Sequence, residues 1–424
     1  MNFKTNVTLA VLLAAGGSHT ALADTAATKG GIAIKSDDGN FEARIGGRIH
    51  LDFASLDSDG STAYAEDGGA YFRRARLTLS GKAYGWDYKF ENDFADAEAV
   101  TACKAGPPIA CKTAGTNSFR DMYMGTKALG GRVVIGQFKP LRGMEEMTSS
   151  NSVTMIERPF ASASGIFSGR QFATGAKYET SGDNWTWGLA LQNNSVLKGK
   201  DSRITEETVV STRFTYAVVN TENNTVHLGL SLSAENGDMT NGARLRGRGK
   251  LPATNLGSSR TLAEAGAATG ASEKDARHVG FELAGSAGPF YAQGEIVDAS
   301  YTDAYDGSSG PEDADVLTYY LMASWLVTGE HKPYEAGVFK SPKPDSDLGA
   351  IEVKARYDYA GNMDQPTTAA NQREINVLTV GANWYVNPAV RFMLEYSMAN
   401  DKTQQVGGAF VEPSALTLRS QFSF

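Results

Sequence analysis

The chain has 424 residues, with 40 Lys and Arg against 48 Asp and Glu, a formal net charge of −8 at pH 7, 46 Gly and 10% aromatic residues. No apolar run approaches the roughly 20 residues of a membrane-spanning helix, which excludes a helical membrane protein. The acidic balance offers no electrostatic footprint for nucleic acid, so no such partner is expected. No Pro- or Ser-rich linker and no shift in composition divides the chain into soluble domains, and one large closed sheet is the simpler account.

The N-terminus reads as an export signal. Met1, Asn2 and Lys4 precede the apolar run Val7–Ala15 and the small-residue motif Ala21-Leu22-Ala23, so cleavage is expected after Ala23. Residues 24–40 are then a short periplasmic N-terminal segment. From Phe41 the pattern changes to strict alternation. Phe41, Ala43, Ile45, Gly47, Ile49, Leu51 and Phe53 share one face, and Glu42, Arg44, Arg48, His50 and Asp52 share the other. A strand with one oily and one wet side follows from the period of two. The next segment repeats this, with Ala75, Leu77, Leu79 and Ala83 set against Arg74, Arg76, Thr78, Ser80 and Lys82.

Cys103 and Cys111 are the only cysteines, in a Gly/Pro-containing loop of an exported chain. A loop-closing disulfide is the expected state, and the absence of a His or acid cluster around them argues against a metal site. Further along, Arg244, Arg246, Arg248 and Lys250 occupy every second position, so an extended backbone would aim them the same way. Such a row is either a series of weak anion sites along a passage or a solvated loop touching lipopolysaccharide phosphates.

Alternation returns in Val226–Ser233, Ile351–Tyr359 and Val390–Met398. Very short links (Tyr84–Asp87, Gly130–Gly131, Gly182–Asn184, Thr221–Asn224, Gly288–Pro289, Asn387–Pro388) mostly alternate with long ones (Leu56–Ala70, Ala97–Asn117, Leu141–Arg170, Asp238–Ala276). That asymmetry is the pattern of an all-β transmembrane antiparallel barrel, with short periplasmic turns and long external loops. It predicts about sixteen strands over residues 41–424 with both termini on the periplasmic side. Gly329–Gly349 must then be an unusually long periplasmic turn. Trp86, Trp187, Trp384 and Tyr385 suit an interfacial aromatic girdle. The last strand, Ala415–Phe424, ends on an aromatic residue with Phe422, Leu418 and Leu416 on the same face.

No catalytic constellation, cofactor motif or metal motif stands out. His50, His227, His278 and His331 are scattered, and no Gly-x-Ser-x-Gly elbow or phosphate loop is present. A passive channel is therefore the leading reading, rather than an enzyme. The alternative is a barrel whose long loops carry a surface-binding or hydrolytic role.

From Phe41 to Phe424 the chain resembles the phosphate-selective porin family of Gram-negative outer membranes. The matching stretches are Gly46-Gly47-Arg48, Ala70-Tyr71-Phe72-Arg73-Arg74-Ala75, Trp86-Asp87-Tyr88-Lys89, Gly136-Gln137-Phe138-Lys139, Glu145-Glu146-Met147-Thr148-Ser149-Ser150, Glu157-Arg158 and Gly381-Ala382-Asn383-Trp384-Tyr385. The resemblance implies an outer-membrane homotrimer of sixteen-stranded barrels with an inward-folded third loop, passing small anions such as phosphate. It implies that the C-terminal Phe424 is read by the barrel-assembly machinery. It places Arg73 and Arg74 on the paired arginines of the lumen ladder and Arg158 on the arginine of the third-loop motif. Arg244, Arg246 and Arg248 fall on the fifth-loop run, and Arg260 on a later member. Arg76 joins this anion pathway because it shares the wet face of its strand with Arg74. Phosphate porins carry lysine where this chain has Glu146, an acid that weakens phosphate selectivity.

Overall fold

The computed structural model describes residues 25–27, 32–61, 64, 68–95, 100–103, 111–113, 118–160, 162, 171–193, 208–236, 244–245, 260–261, 275–307, 310–364 and 374–424. Residues 1–23, where the export signal is expected, lie outside them.

Sixteen strands form the wall: β1 (Phe41–Asp57), β2 (Gly68–Ala83), β3 (Trp86–Asp93), β4 (Ser118–Ala128), β5 (Gly131–Phe138), β6 (Ala173–Ser181), β7 (Trp185–Asn193), β8 (Thr208–Asn220), β9 (Asn224–Asn236), β10 (Ala276–Ala287), β11 (Phe290–Gly307), β12 (Gly310–Leu326), β13 (Ala350–Asn362), β14 (Glu374–Tyr385), β15 (Val390–Val406) and β16 (Ser414–Ser423). Each pairs antiparallel with the next. β16 returns to β1, with Leu418 opposite Phe53, and closes the ring. Closure leaves no free edge over the shared length, as lipid demands of every backbone polar group.

The alternation read from sequence is inverted relative to a water-soluble protein. Ile45, Ile49, Phe281, Leu283, Leu394, Leu416 and Leu418 are exposed, while His50, Asp52, Glu282, Glu295, Lys354, Glu395 and Arg419 are buried. An apolar exterior around a polar interior is stable only when the outer solvent is hydrocarbon. Of the expected girdle, Trp86, Trp187 and Trp384 stand exposed near strand ends beside the short turns, where amphipathic rings sit at the headgroup level, whereas Tyr385 alternates inward and is buried, its hydroxyl donating to Glu352 at 2.7 Å. Two of those turns have positive φ at both central residues, 48° and 82° at Tyr84 and Gly85, and 55° and 75° at Leu129 and Gly130. This is the handedness that lets a two-residue link join twisted strands.

The seam between chain ends explains the Gly46-Gly47 motif. The Gly47 N–H donates to the Phe424 carbonyl at 2.9 Å and the Phe424 N–H donates to the Gly47 carbonyl at 3.1 Å. A Cβ on Gly47 would lie 2.5 Å from the Arg76 carbonyl oxygen and 2.7 Å from the Phe424 ring. Beyond Phe424, β1 would present a bare edge. Ile32–Lys35 covers it, pairing with residues 42–45, and Thr25–Ala27 pairs in turn with 33–35. Residues 25–27 and 32–35, within the segment expected to be the periplasmic N-terminal one, thus extend the sheet.

One irregularity matters for the interior. Pairing of β1 with β2 slips between His50, opposite Arg74, and Leu51, opposite Phe72. The bulge leaves Arg73 without a cross-strand partner and turns both Arg73 and Arg74 inward, where strict alternation would send Arg73 to lipid. Outside the ring, Val100–Cys103 and Cys111–Thr113 form a small hairpin with Cys103 opposite Cys111. Arg244–Leu245 and Arg260–Thr261 form another. Arg246, Arg248 and Lys250 lie outside the described residues.

Candidate functional site: an electropositive slot in the barrel

The connection from β5 to β6 folds inward, as expected for Leu141–Arg170, and its described part, residues 139–160, is held by lumen side chains of the opposite wall. The N–H groups of Met144 and Glu145, at the start of the short helix Met144–Met147, donate to the Glu295 carboxylate of β11 at 3.1 and 2.7 Å. The Leu141 N–H donates to Ser211 Oγ of β8 at 2.9 Å, and the Ile156 N–H to Glu395 Oε1 of β15 at 2.6 Å. Lys354 and Arg356 of β13 donate to the carbonyls of Thr154 and Glu157, and Arg391 of β15 to that of Val153. Charged groups give the strongest such bonds, and here they replace the water that an irregular backbone would otherwise need.

The long turn between β12 and β13 also enters the lumen, from the other end. Its small hairpin pairs Tyr334–Glu335 with Val338–Phe339, and Tyr334 Oη meets His227 Nδ1 at 2.7 Å. Lys332 donates to Thr154 Oγ1 at 2.6 Å and Ser341 Oγ to the Asn151 carbonyl at 3.0 Å, so the turn props the tip of the inner loop.

Between the inner loop and the wall of β1–β6 lies a cavity of about 270 Å³. Its lining carries eight cations, Arg48, Arg74, Arg76, Lys89, Lys139, Arg158, Lys177 and Lys340, against two carboxylates, Glu91 and Asp121. Several of the cations are neutralised in place. Glu91 accepts from Arg48 at 3.0 Å and Arg76 at 3.1 Å, Asp93 accepts from Arg76 at 2.8 Å, and Lys89 pairs with Asp121 at 2.5 Å. Arg74 and Arg158 have no carboxylate partner among the described residues. Arg74 meets His50 Nδ1 at 3.2 Å and Arg158 donates to the Thr148 carbonyl at 2.7 Å. Arg74 Nε, Arg158 Nη1 and Arg48 Nε are buried donors that no acceptor among the described residues reaches. Each such donor costs about 1–3 kcal/mol unless something fills it, and a guanidinium offers forked donors to an oxyanion.

Arg73 plays a different part. Its guanidinium lies 2.6 and 3.0 Å from the Glu157 carboxylate, which also accepts from Arg419 at 3.0 Å. Burial alone would raise the Glu157 carboxyl, but Arg73 and Arg419 hold it well below the usual carboxylate range. Arg73 therefore clamps the inner loop. Glu146 is also tied down: Lys139 lies at 3.2 Å, and Gln171 and Ser162 donate to its two oxygens at 2.6 and 2.9 Å. Its charge offsets Lys139 from the rim of the slot. Glu146→Gln keeps hydrogen-bonding capacity while removing that charge, so phosphate block of chloride current at low salt should strengthen by a few-fold, an effect that shrinks as salt rises.

Of the anion-pathway residues expected from sequence, Arg74, Arg76 and Arg158 line the slot, and Arg73 stands beside it as a clamp. Arg244 and Arg260 lie in the separate hairpin. Arg48, Lys89 and Lys139 were not singled out, although each ends one of the short motifs quoted for the resemblance. Lys177 and Lys340 had no signal in the sequence. His278 Nδ1 meets Ser233 Oγ at 3.0 Å and Glu235 Oε1 at 3.8 Å, so hydroxyl and acid crowd one nitrogen, whereas His227 bridges Tyr334 Oη at 2.7 Å and Glu282 Oε2 at 3.0 Å.

Residues 43–424 match the family described as phosphate-selective porin O and P. The chain belongs to that family. It is an outer-membrane porin of the Gram-negative type, and members of this family are channels rather than enzymes. Porin O of Pseudomonas aeruginosa is 29% identical over 410 residues, covering 89% of this chain and 87% of the relative. Among solved structures, an anion-selective porin from Comamonas acidovorans superposes with a TM-score of 0.55 at 12% identity, covering 91% of this chain and 100% of that one. OmpT of Vibrio cholerae, in its trimer form, gives 0.53 at 10% identity, covering 91% and 99%. At such identities these two structures speak for the fold alone.

Proposed function

We propose that this porin passes small anions in preference to cations, and that phosphate-like oxyanions dwell in the slot at Arg74 and Arg158. The observation that carries this reading is a pair of guanidiniums lining a narrow cavity with no carboxylate paired to them, and with buried N–H groups left unfilled, among the described residues. Low-dielectric walls focus the field of such charges and raise the local anion concentration. Conduction then requires loose binding at successive sites, and the remaining cations of the slot lie within reach of the next step. Glu146 and Glu91 temper the field, which fits a modest anion preference better than a tight phosphate site. No catalytic role is assigned to the chain.

The same reading includes several assignments of its own. The working assembly is a homotrimer in lipid and lipopolysaccharide, residues 1–23 are a cleaved export signal, and Phe424 closes the last strand as the signal for barrel assembly. Cys103 and Cys111 are oxidised to each other, which the cross-strand register of their hairpin supports. Arg244, Arg246, Arg248 and Arg260 supply an outer basic vestibule.

The test is the reversal potential of single channels in a KCl gradient, followed by titration with inorganic phosphate. The expected result is an anion-selective potential and a partial, saturable block of chloride current. A cation-selective or neutral potential would overturn the proposal.

A further inference from the structure

We propose that His50 is a specificity-determining residue that positions Arg74 without cancelling its charge. The inference rests on the anion-slot reading and deepens it.

The argument comes from two neighbours on one strand. Along the lumen face of β1, His50 and Asp52 are successive inward residues, and both are fully buried. Each stands opposite an arginine in register, Asp52 opposite Arg419 of β16 and His50 opposite Arg74 of β2. Asp52 takes Arg419 in a forked pair at 2.6 and 2.7 Å, and that arginine is spent on holding the wall and the inner loop. Arg73, beside Arg74, is likewise neutralised by Glu157. Arg74 alone of these three meets an imidazole, with Nη1 3.2 Å from His50 Nδ1.

An arginine is always a donor, so Nδ1 must be the unprotonated acceptor and the ring neutral, with its proton on Nε2. Nε2 has no partner among the described residues, so none of them besides Arg74 dictates the ring's role. A neutral acceptor fixes the guanidinium in place through a hydrogen bond to a charged group while leaving the full charge to the slot that Arg74 lines. An acid at position 50 would reproduce the Asp52–Arg419 pair and silence Arg74.

The experiment compares His50→Asp, His50→Asn and His50→Leu with the unaltered trimer, by reversal potential in a KCl gradient and by half-block of chloride current with inorganic phosphate. Heat-modifiable mobility on gels checks that each variant is assembled. His50→Asp should move the reversal potential toward that of Arg74→Ala. His50→Leu keeps the charge but frees the side chain. It should therefore leave the potential anion-selective while weakening phosphate half-block by about tenfold, the weight of one charge-assisted hydrogen bond. His50→Asn, whose Oδ1 stands where Nδ1 was, should restore the block to within about twofold on the same scale. If His50→Asp keeps the original potential while Arg74→Ala shifts it, His50 does not tune Arg74 and the inference falls. If Arg74→Ala itself shifts nothing, the anion-slot reading has failed instead. Should His50→Asp not assemble, the Leu and Asn variants decide, and equal phosphate half-block in the two would overturn the proposal.

Discussion

Replacing Arg74 and Arg158 together by alanine should abolish anion preference, moving the reversal potential in a KCl gradient to zero or to the cation side. Among the described residues these are the two slot cations with no carboxylate partner, so removing them takes away uncompensated charge. The cations that remain include Arg48, Arg76 and Lys89, whose fields are largely closed on Glu91, Asp93 and Asp121. Phosphate block should weaken by at least about tenfold, since each lost charge-assisted contact is worth roughly 1.5–3 kcal/mol. The variant should assemble normally, because neither side chain anchors the inner loop to the opposite wall, and removal of orphaned buried donors costs little. An unchanged reversal potential in the assembled porin would show that ions travel elsewhere.

Glu157→Ala should have the largest effect on the integrity of the pore. It removes the carboxylate that binds Arg73 by two hydrogen bonds and Arg419 by a third. Arg419 keeps Asp52, but Arg73 is left buried and unpaired. Breaking a buried pair from one side costs about 3–5 kcal/mol. Here that cost falls on the docking of the inner loop, because the sixteen-strand wall closes without it. Single channels should become larger and noisier, and the assembled form should dissociate at a lower temperature. Glu157→Gln, which can still bond one arginine, should lie between. The sign of the pH effect follows from the depressed carboxyl. A depressed acid contributes its stability fully above the unfolded value, about 4.3 for Glu, and loses it as pH falls through the much lower folded value. Docking of the loop through this clamp should therefore not change from pH 8 to pH 5, and conductance noise should rise only in strong acid. A transition centred near neutrality in the unaltered protein would contradict this account.

How much of this was legible beforehand can be judged from particular residues. β1 shows its two faces in sequence because lipid and lumen act on alternate positions, and Ile45 and Ile49 are exposed while His50 and Asp52 are buried. The links at Tyr84–Asp87 and Gly130–Gly131 announce two-residue turns because few backbones other than glycine's adopt positive φ without strain. The long Gly329–Gly349 link was legible as an anomaly, though its path into the lumen was not. The inward turn of Arg73 followed from the resemblance and not from alternation, since a bulge depends on how two strands pair and not on either strand alone.

The sequence by itself determined the wall: an alternating chain without a run long and apolar enough for a spanning helix, with short and long links in turn and a final aromatic strand, can satisfy its backbone in lipid only by closing into a barrel. It also supplied Arg74, Arg76 and Arg158 as residues of interest. Which cations stay electrically free was decided only in three dimensions. Arg158 and Arg74 resemble Arg73 in sequence, yet Glu157 reaches only one of that neighbouring pair at hydrogen-bond distance, and Glu91 and Asp93 come from a different strand to quiet Arg76. Lys340 joins the slot from a distant turn. Charge compensation acts over a few ångströms between residues far apart in the chain, so the selectivity of the passage is a property of packing, not of pattern.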